Sequence, residues 1–310
     1  MNKHVLRADW LLLLTAVIWG CAFVAQRSGM RHVGPFTFNG IRFTLGGCAL
    51  IPLIMYRNRR YGTPSRPDPS FFSFEFLKKG LLIGVVLFCG ASLQQIGMVF
   101  TTAGKGGFIT GLYVILVPVI GLLLGQRLGW SGWAGSLLAT FGMYLLSVTD
   151  TLTIAPGDLW VLGSAFFWAS HVLILGWLSP KMDTIKLACA QFFVCAILSL
   201  TTAAITESFS ISGIWNGILP ILYSGLMSVG IAYTLQVVAQ KDAPPAHASI
   251  ILSLETVFAA ISGWIFLDEG LSFRAGLGGI LMLAGMLLVQ LWPPAAPKVA
   301  LSCMTPRTAD

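Results

Sequence analysis

The sequence predicts an all-α polytopic membrane protein with ten transmembrane helices, arranged as two inverted repeats of five helices. Three observations support this prediction: the composition, a series of ten apolar runs, and an internal duplication. Of the 310 residues, 56% are hydrophobic and 10% are charged, whereas a soluble domain contains about 25% charged residues. The chain therefore lacks the polar residues needed to cover a water-facing surface, and an integral membrane protein is predicted.

Ten apolar runs are each long enough to cross a bilayer as a helix, which takes about 20 residues. They cover residues 10–29, 35–56, 78–99, 105–125, 131–148, 158–177, 184–204, 214–239, 246–267 and 273–292. The runs use almost the whole chain, so no sizeable soluble domain is predicted. Lys3 and Arg7 before the first run resemble the start of a signal peptide, but the nine further runs favour an uncleaved helix.

Lysine and arginine are distributed unevenly between the two sides that ten spans define. The side that holds both termini has fourteen of them and the other side has four. The positive-inside rule then predicts that both termini are cytoplasmic, with residues 293–310 as a disordered cytoplasmic tail. The basic, aromatic loop 56–79 is interpreted as a segment near anionic lipid headgroups rather than as a nucleic-acid site.

The two halves of the chain, residues 8–148 and 157–292, resemble each other. DWLLLLTAVIW at 9–19 matches DLWVLGSAFFW at 158–168, at an offset of 149, and FGMYLL at 141–146 matches AGMLLV at 284–289. Five spans per half is an odd number, so the second half enters the membrane from the opposite side. Inverted repeats of this kind surround a central site in many transporters, although a channel or an enzyme can also contain repeats.

The fifth and tenth runs each have glycines seven residues apart. These are Gly135 and Gly142 in the fifth run, and Gly278 and Gly285 in the tenth. Small residues at such spacing let membrane helices approach closely, so both runs are predicted to be packing helices.

The segment SLETVFAAISGWIFLDEGL at 253–271, together with the two-by-five arrangement, resembles the EamA family of the drug/metabolite transporter (DMT) superfamily. In that family the ninth span reads Glu-Pro-Val-Phe-Ala, then Trp, then Gly-Glu-x-Leu; here Thr256 replaces the proline and Asp268 precedes Glu269. The resemblance covers residues 8–292. It implies an inner-membrane secondary transporter of a small metabolite or amino-acid-like compound, working by alternating access around a central cavity, with export as the favoured direction.

Ionisable groups at bilayer depth are energetically costly and usually face a cavity or a partner. Glu255, near the middle of the ninth run, and His171 in the sixth run are therefore candidates for substrate binding and for proton coupling. Each could instead be a hydrogen-bonded structural group. Arg42 in the second run is predicted to be structural, either extending to the outer interface or bracing a neighbouring helix.

Polar and aromatic residues at matching positions of the two halves complete the predicted site. Trp19 matches Trp168, Gln94 matches Gln236, and Tyr113 aligns next to Glu255. The predicted substrate-binding residues are Trp19, Gln94, Tyr113, Trp168, His171, Tyr233, Gln236 and Glu255.

Sequence signals for catalysis and for cofactors are missing. There is no HExxH, no GxSxG, and GKGG at 104–107 lacks the rest of a phosphate-binding loop. Five of the six cysteines lie inside apolar runs without disulfide or metal spacing. We therefore expect no enzyme activity, catalytic residue, metal or cofactor, and the predicted partners are the lipid bilayer, a small-molecule substrate and protons. A channel or an embedded protein without transport activity is the alternative, followed by a membrane enzyme.

Overall fold

A computed structural model describes residues 3–61, 73–126, 128–147, 156–270 and 272–292. All regular secondary structure within these ranges is helical, as predicted from the sequence. The predicted tail at 293–310 and residues 62–72 of the basic loop lie outside the described residues.

The first half contains six helices. They are α1 (Lys3–Gly29), α2 (Pro35–Tyr61), α3 (Phe74–Met98), α4 (Ala103–Gly111), α5 (Tyr113–Leu123) and α6 (Trp130–Ser147). The fourth apolar run is broken at Leu112, which separates α4 from α5. The other runs of this half form continuous helices.

The second half contains eight α-helices and a π-helix. They are α7 (Pro156–Leu178), α8 (Thr184–Thr206), α9 (Ile211–Asn216), α10 (Ile218–Leu222), the π-helix Tyr223–Tyr233, α11 (Thr234–Ala239), α12 (Pro245–Leu252), α13 (Glu255–Leu267) and α14 (Phe273–Leu291). The ninth run is broken between α12 and α13, at the position that corresponds to the break in the fourth run.

Nine helical segments within the described ranges are long and apolar enough to cross a membrane. The fifth apolar run forms α6, a helix of 18 residues, which is not one of the nine. The count of ten spans therefore stays a prediction, as does the cytoplasmic position of the termini. Large apolar side chains such as Leu123, Phe273 and Ile280 are exposed on the outside of the bundle, as expected of a surface that faces lipid.

Contacts between helices are symmetric when the two halves are exchanged. The matching helices α2 and α8 pack together, and so do α6 and α14. The π-helix and α11 together form the span that matches α3. In the first half-to-half contact, α3 packs against α7, and correspondingly the π-helix and α11 pack against α1. In the second, α3 packs against α8, and correspondingly the π-helix packs against α2. This pattern agrees with the predicted duplication.

Glycine permits the close crossing of α6 and α14. A Cβ atom on Gly142 would lie 2.5 Å from the carbonyl oxygen of Gly278, and one on Gly285 would lie 2.8 Å from that of Gly135. The prediction that these four glycines mark packing helices is confirmed, because at these positions the backbones of α6 and α14 are in direct contact.

Two glutamates fix the ends of helices that are distant in sequence. Glu207, at the end of α8, accepts hydrogen bonds from the backbone N–H groups of Phe36 and Thr37, each at 2.8 Å. Glu269, just after α13, accepts from Ala103 N at 3.0 Å and Gly104 N at 3.1 Å. Each carboxylate satisfies free N–H groups at the positive end of a helix dipole. Glu269 thereby holds α13 against α4.

Candidate functional site

A cavity lies at the centre of the bundle, where both halves contribute side chains. It contains seven of the eight predicted substrate-binding residues: Trp19, Gln94, Tyr113, Trp168, Tyr233, Gln236 and Glu255. The other lining residues are Phe23, Gln26, Arg42, Thr110, Val172, Ser228 and Leu252. Residues separated by more than 200 positions in the chain thus share one wall.

Broken helices place Tyr113 and Glu255 at the cavity. Leu112 separates α4 from α5, so Tyr113 is the first residue of α5. Ser253 and Leu254 separate α12 from α13, so Glu255 is the first residue of α13. The backbone passes through the second break in a tight turn, in which Thr256 N donates to the Ser253 carbonyl oxygen at 3.1 Å. Discontinuous helices form the midplane sites of many transporters.

Packing on two sides holds the backbone of Glu255. A Cβ atom on Gly20 of α1 would lie 2.8 Å from the Glu255 carbonyl oxygen, so α1 and α13 are in backbone contact. Thr256 Oγ1 donates to the Gly107 carbonyl oxygen at 3.0 Å, which joins α13 to α4. The orientation of Glu255 toward the cavity is therefore determined by neighbours that are far away in sequence.

The carboxyl group of Glu255 retains hydrogen-bonding capacity. Its side chain is buried and lies beside the Tyr113 hydroxyl. The two groups are close enough to interact with each other, but neither Glu255 Oε1 nor Tyr113 Oη makes a hydrogen bond of ordinary geometry with a described residue. Buried polar groups are rarely left without partners in proteins, so this pair is suited to bind a polar ligand.

Arg42 also lies at the cavity, with 2% of its surface exposed. This burial contradicts the interpretation in which Arg42 extends to the outer interface; the alternative, that it braces a helix, stays a prediction. Its guanidinium carbon is 5.0 Å from the centre of the Phe43 ring and 5.5 Å from that of Phe38. Nε has no partner, and Arg42 forms no ion pair with a described residue. One feature of the sequence could have indicated that Arg42 lies at the cavity: it is an arginine at bilayer depth, and the matching residue of the second half, Gln191, is uncharged.

An aromatic cluster forms the wall around Tyr233, the last residue of the π-helix. The ring of Tyr233 lies 4.5 Å from Trp19, 6.0 Å from Trp168 and 6.0 Å from Phe43, measured between centroids. Trp19 Nε1 donates to the carbonyl oxygen of Ser228 in the π-helix at 3.4 Å. The π-helix, an element frequent at functional sites, could not be predicted from the sequence.

Gln94 and Gln236 have different environments, although they are repeat mates. Gln94 Oε1 accepts from Trp168 Nε1 at 2.7 Å, and Gln94 Nε2 donates to Gln26 Oε1 at 3.2 Å. Gln236 Oε1 has no partner among the described residues. Gln94 therefore joins three helices, whereas Gln236 has an acceptor available at the cavity.

This difference predicts separate effects for two alanine substitutions. Gln236→Ala is expected to raise KM for the transported compound roughly fivefold and to leave thermal stability unchanged, because one neutral hydrogen bond contributes about 1 kcal/mol. Gln94→Ala is expected to lower the free energy of unfolding by about 1–3 kcal/mol, because it leaves the indole N–H of Trp168 unpaired. Transport kinetics and thermal unfolding of the two variants, measured side by side, check both expectations. An equal loss of stability in both variants would contradict the different roles assigned to Gln94, which joins helices, and Gln236, which has an acceptor available at the cavity.

His171 is not part of the cavity lining. It is buried behind two aromatic residues, with its ring 6.0 Å from Trp168 and 6.2 Å from Tyr233 in edge-on contact. Its Nε2 lies 2.8 Å from Gln191 Oε1. The structure thus separates His171 from the cavity itself, and its role in proton coupling stays a prediction.

The arrangement favours recognition of a ligand. A carboxyl group, a guanidinium group, three amides and four hydroxyl groups line one cavity beside aromatic rings. Five of these side chains have a buried polar atom without a partner: Arg42 Nε, Thr110 Oγ1, Tyr113 Oη, Gln236 Oε1 and Glu255 Oε1. Among the described residues, no group of three or more His, Cys, Asp or Glu could hold a metal ion.

Comparison with known proteins identifies the family. The family model for the EamA-like transporter family matches residues 6–148 and again residues 155–291. The chain belongs to the EamA-like transporter family. The family assigned from SLETVFAAISGWIFLDEGL is therefore confirmed, and this EamA-like protein is a multi-pass membrane transporter whose partners are the bilayer and a small-molecule substrate.

Two of three similar proteins are described as transporters. An uncharacterized transporter from Archaeoglobus fulgidus is 31% identical, over 92% of this chain and 86% of the relative. The uncharacterized transporter YoaV of Bacillus subtilis is 22% identical, over 89% and 94% of the two chains. A chloroplastic WAT1-related protein of Arabidopsis thaliana is 23% identical, over 91% and 69%. A solved crystal structure matches with a TM-score of 0.74 and 18% identity, over 92% and 96% of the chains, which shows a shared fold.

Proposed function

We propose that this EamA-like protein is a secondary transporter for a small amphoteric metabolite of the amino-acid type. The observation that supports this proposal is the presence of Arg42 and Glu255 in one cavity without an ion pair between them. A guanidinium group binds a carboxylate through two parallel hydrogen bonds. A carboxylate such as Glu255 accepts hydrogen bonds from an ammonium group. A ligand with both groups satisfies both residues.

The remaining lining agrees with a ligand of this polarity. Trp19, Trp168 and Tyr233 offer apolar surface for a side chain, while Tyr113 and Gln236 offer hydrogen-bonding groups. The single charge of each sign selects for a compound that is neutral overall.

Alternating access is the mechanism that we infer for movement of this ligand. The two halves pack symmetrically around the cavity, and inverted repeats allow one end to open while the other closes. The broken spans α4–α5 and α12–α13 provide points where the lining can change orientation. The chain has no nucleotide-binding motif, which is why a secondary mechanism is proposed.

Proton antiport and export follow from the chemistry of Glu255. A proton and an ammonium group compete for the same carboxylate, because protonation removes the negative charge that attracts the ammonium group. In an environment rich in protons Glu255 exchanges the ligand for a proton. Across an energised cell membrane this environment is the outside, so the ligand leaves the cell. The family resemblance favours the same direction.

Counterflow in liposomes tests this proposal. Purified protein is reconstituted with an internal load of one amino acid, and uptake of the labelled compound is compared with that of its decarboxylated amine and its N-acetyl derivative. We expect saturable counterflow of the zwitterion and at least tenfold slower uptake of each single-charge analogue. Equal uptake of all three would contradict the assignment of Arg42 and Glu255, and conductance without saturation would identify a channel.

A further inference from the structure

Two hydrogen-bonded pairs of a basic and an acidic side chain, one of them buried and one partly exposed, lie at opposite ends of the bundle, away from the cavity lining. Asp9 Oδ1 of α1 lies 2.6 Å from His247 Nε2 of α12, and both residues are buried. Asp158 Oδ2 of α7 lies 2.6 Å from Lys105 Nζ of α4. Thr101 Oγ1 also donates to Asp158, at 3.2 Å.

The two pairs are related by the duplication of the chain. Asp9 and Asp158 are separated by the offset of 149 that aligns the two tryptophan-containing segments. Lys105 and His247 are separated by 142, the offset that aligns Gln94 with Gln236. Each pair therefore joins the first helix of one half to the broken span of the other half, and each does so near the starts of both helices.

We propose that these pairs are two gates that break alternately as the ends of the cavity open, and that Asp9–His247 is a proton-binding site that makes one gate pH-sensitive. This inference rests on the proposed alternating-access function. Opening one end requires the two halves to separate there, and a direct bond between them must then break. The same helices reach the cavity: α1 contains Trp19, α12 ends at Leu252, α4 contains Thr110 and α7 contains Trp168.

The gates differ in one residue type, and this difference determines their response to pH. Histidine changes its charge between about pH 5 and pH 8, whereas lysine remains charged over this range. Protonated His247 forms a charged hydrogen bond to Asp9, and neutral His247 forms a weaker one. Raising the pH therefore weakens the Asp9–His247 gate and leaves the Asp158–Lys105 gate unchanged.

Other titratable or charged groups lie at the same end, on or beside the elements that pack against the pair. They are Lys3, His4 and Arg7 on α1, Glu75, Lys78 and Lys79 on α3, Lys181 after α7, and Lys241 and Asp242 before α12. Among the described residues at this end, α5, α6 and α14 contribute none. His247 Nε2 lies 2.6 Å from Asp9 Oδ1, so we assign the response to His247.

Hydrogen exchange measured by mass spectrometry, on the full chain in lipid nanodiscs without substrate, tests the proposal at pD 6 and pD 8. After correction for intrinsic rates, we expect the first turns of α1 and α12 to exchange roughly fivefold faster at pD 8. The first turns of α4 and α7 should change in the opposite sense, because only one end opens at a time. His247→Lys should remove both changes, and the exposed control His32→Gln should retain them.

Lys105→His provides a second, independent variant if His247→Lys does not fold. It gives the opposite end a histidine, and exchange at the starts of α4 and α7 should become faster as pD rises. An unchanged pH response in His247→Lys, or no reciprocal change at the far end in the wild type, would overturn the proposal. The hydrogen-exchange measurement needs no substrate, so it is independent of the counterflow assay. If zwitterion counterflow fails while the pH response of hydrogen exchange is observed, only the proposed function is overturned.

Discussion

Replacing Glu255 by glutamine is expected to weaken binding of the transported compound by roughly 10- to 100-fold. A hydrogen bond to a charged group contributes about 1.5–3 kcal/mol, and each 1.4 kcal/mol is a factor of about ten in affinity. Glutamine keeps the size of the side chain but removes the negative charge that attracts an ammonium group. Arg42 then remains in the cavity as an uncompensated positive charge. Binding of the labelled compound to purified protein, measured across a concentration series, gives the change in affinity.

The same substitution separates a coupling role from a packing role. Glu255→Gln cannot exchange a proton, so uptake driven by a pH gradient into inverted vesicles should be lost, while counterflow without a gradient should persist at high substrate concentration. Glu75→Gln serves as the matched control, because Glu75 is an exposed carboxylate on α3, 70% accessible and paired with Lys79. Full pH-driven uptake by Glu255→Gln would show that protons are coupled elsewhere. A lowered unfolding temperature with normal transport would instead assign Glu255 to packing.

Gly278→Val is expected to cause the largest loss of stability, since no space exists for a side chain at this position. A Cβ atom there would lie 2.6 Å from Leu146 N and would also overlap the carbonyl oxygen of Gly142. The added methyl groups force α6 and α14 apart along their whole contact. Overpacking of this kind costs about 1–3 kcal/mol and occasionally more. The effect is measured by heating the purified protein to a series of temperatures and determining the fraction that remains monodisperse at each.

Gly276→Val is a matched control on the same helix. Gly276 is also in α14, two residues away, and a Cβ atom there meets nothing within 4 Å. Both variants replace one glycine by one valine in one helix, so they differ only in what the new side chain contacts. We expect Gly276→Val to unfold close to the wild-type temperature. Equal losses in both variants would mean that helix propensity, rather than the α6–α14 contact, accounts for the effect.

Local patterns were sufficient to predict the class of the protein and half of the residues that line the cavity. Apolar runs and sparse charge require a helical membrane protein, and pairs such as Trp19 with Trp168 are visible as matching positions in a duplicated chain. Seven of the eight residues chosen in this way line the cavity. Equivalent positions in two symmetric halves face the same axis, which explains why matched residues meet at one cavity; their role in substrate binding stays a prediction.

Repeat matching did not predict how equivalent residues would be used. Gln94 is bonded to Trp168 and Gln26, whereas Gln236 has a free acceptor. The backbone also differs between the two spans: α3 is a regular helix, whereas the matching span contains the π-helix before Gln236. Two halves of similar sequence therefore place matching amides in different environments, and no pattern within either half predicts this.

The sequence by itself determined the fold class, the family and the duplication, because composition and periodicity are local properties of the chain. Tertiary structure alone decided that Arg42 faces the cavity, that His171 lies behind it, and that Glu255 begins a new helix. The physical reason is that these orientations result from contacts between distant segments. Gly20 and Gly107 fix the backbone beside Glu255, and Asp9 meets His247 across 238 positions of the chain.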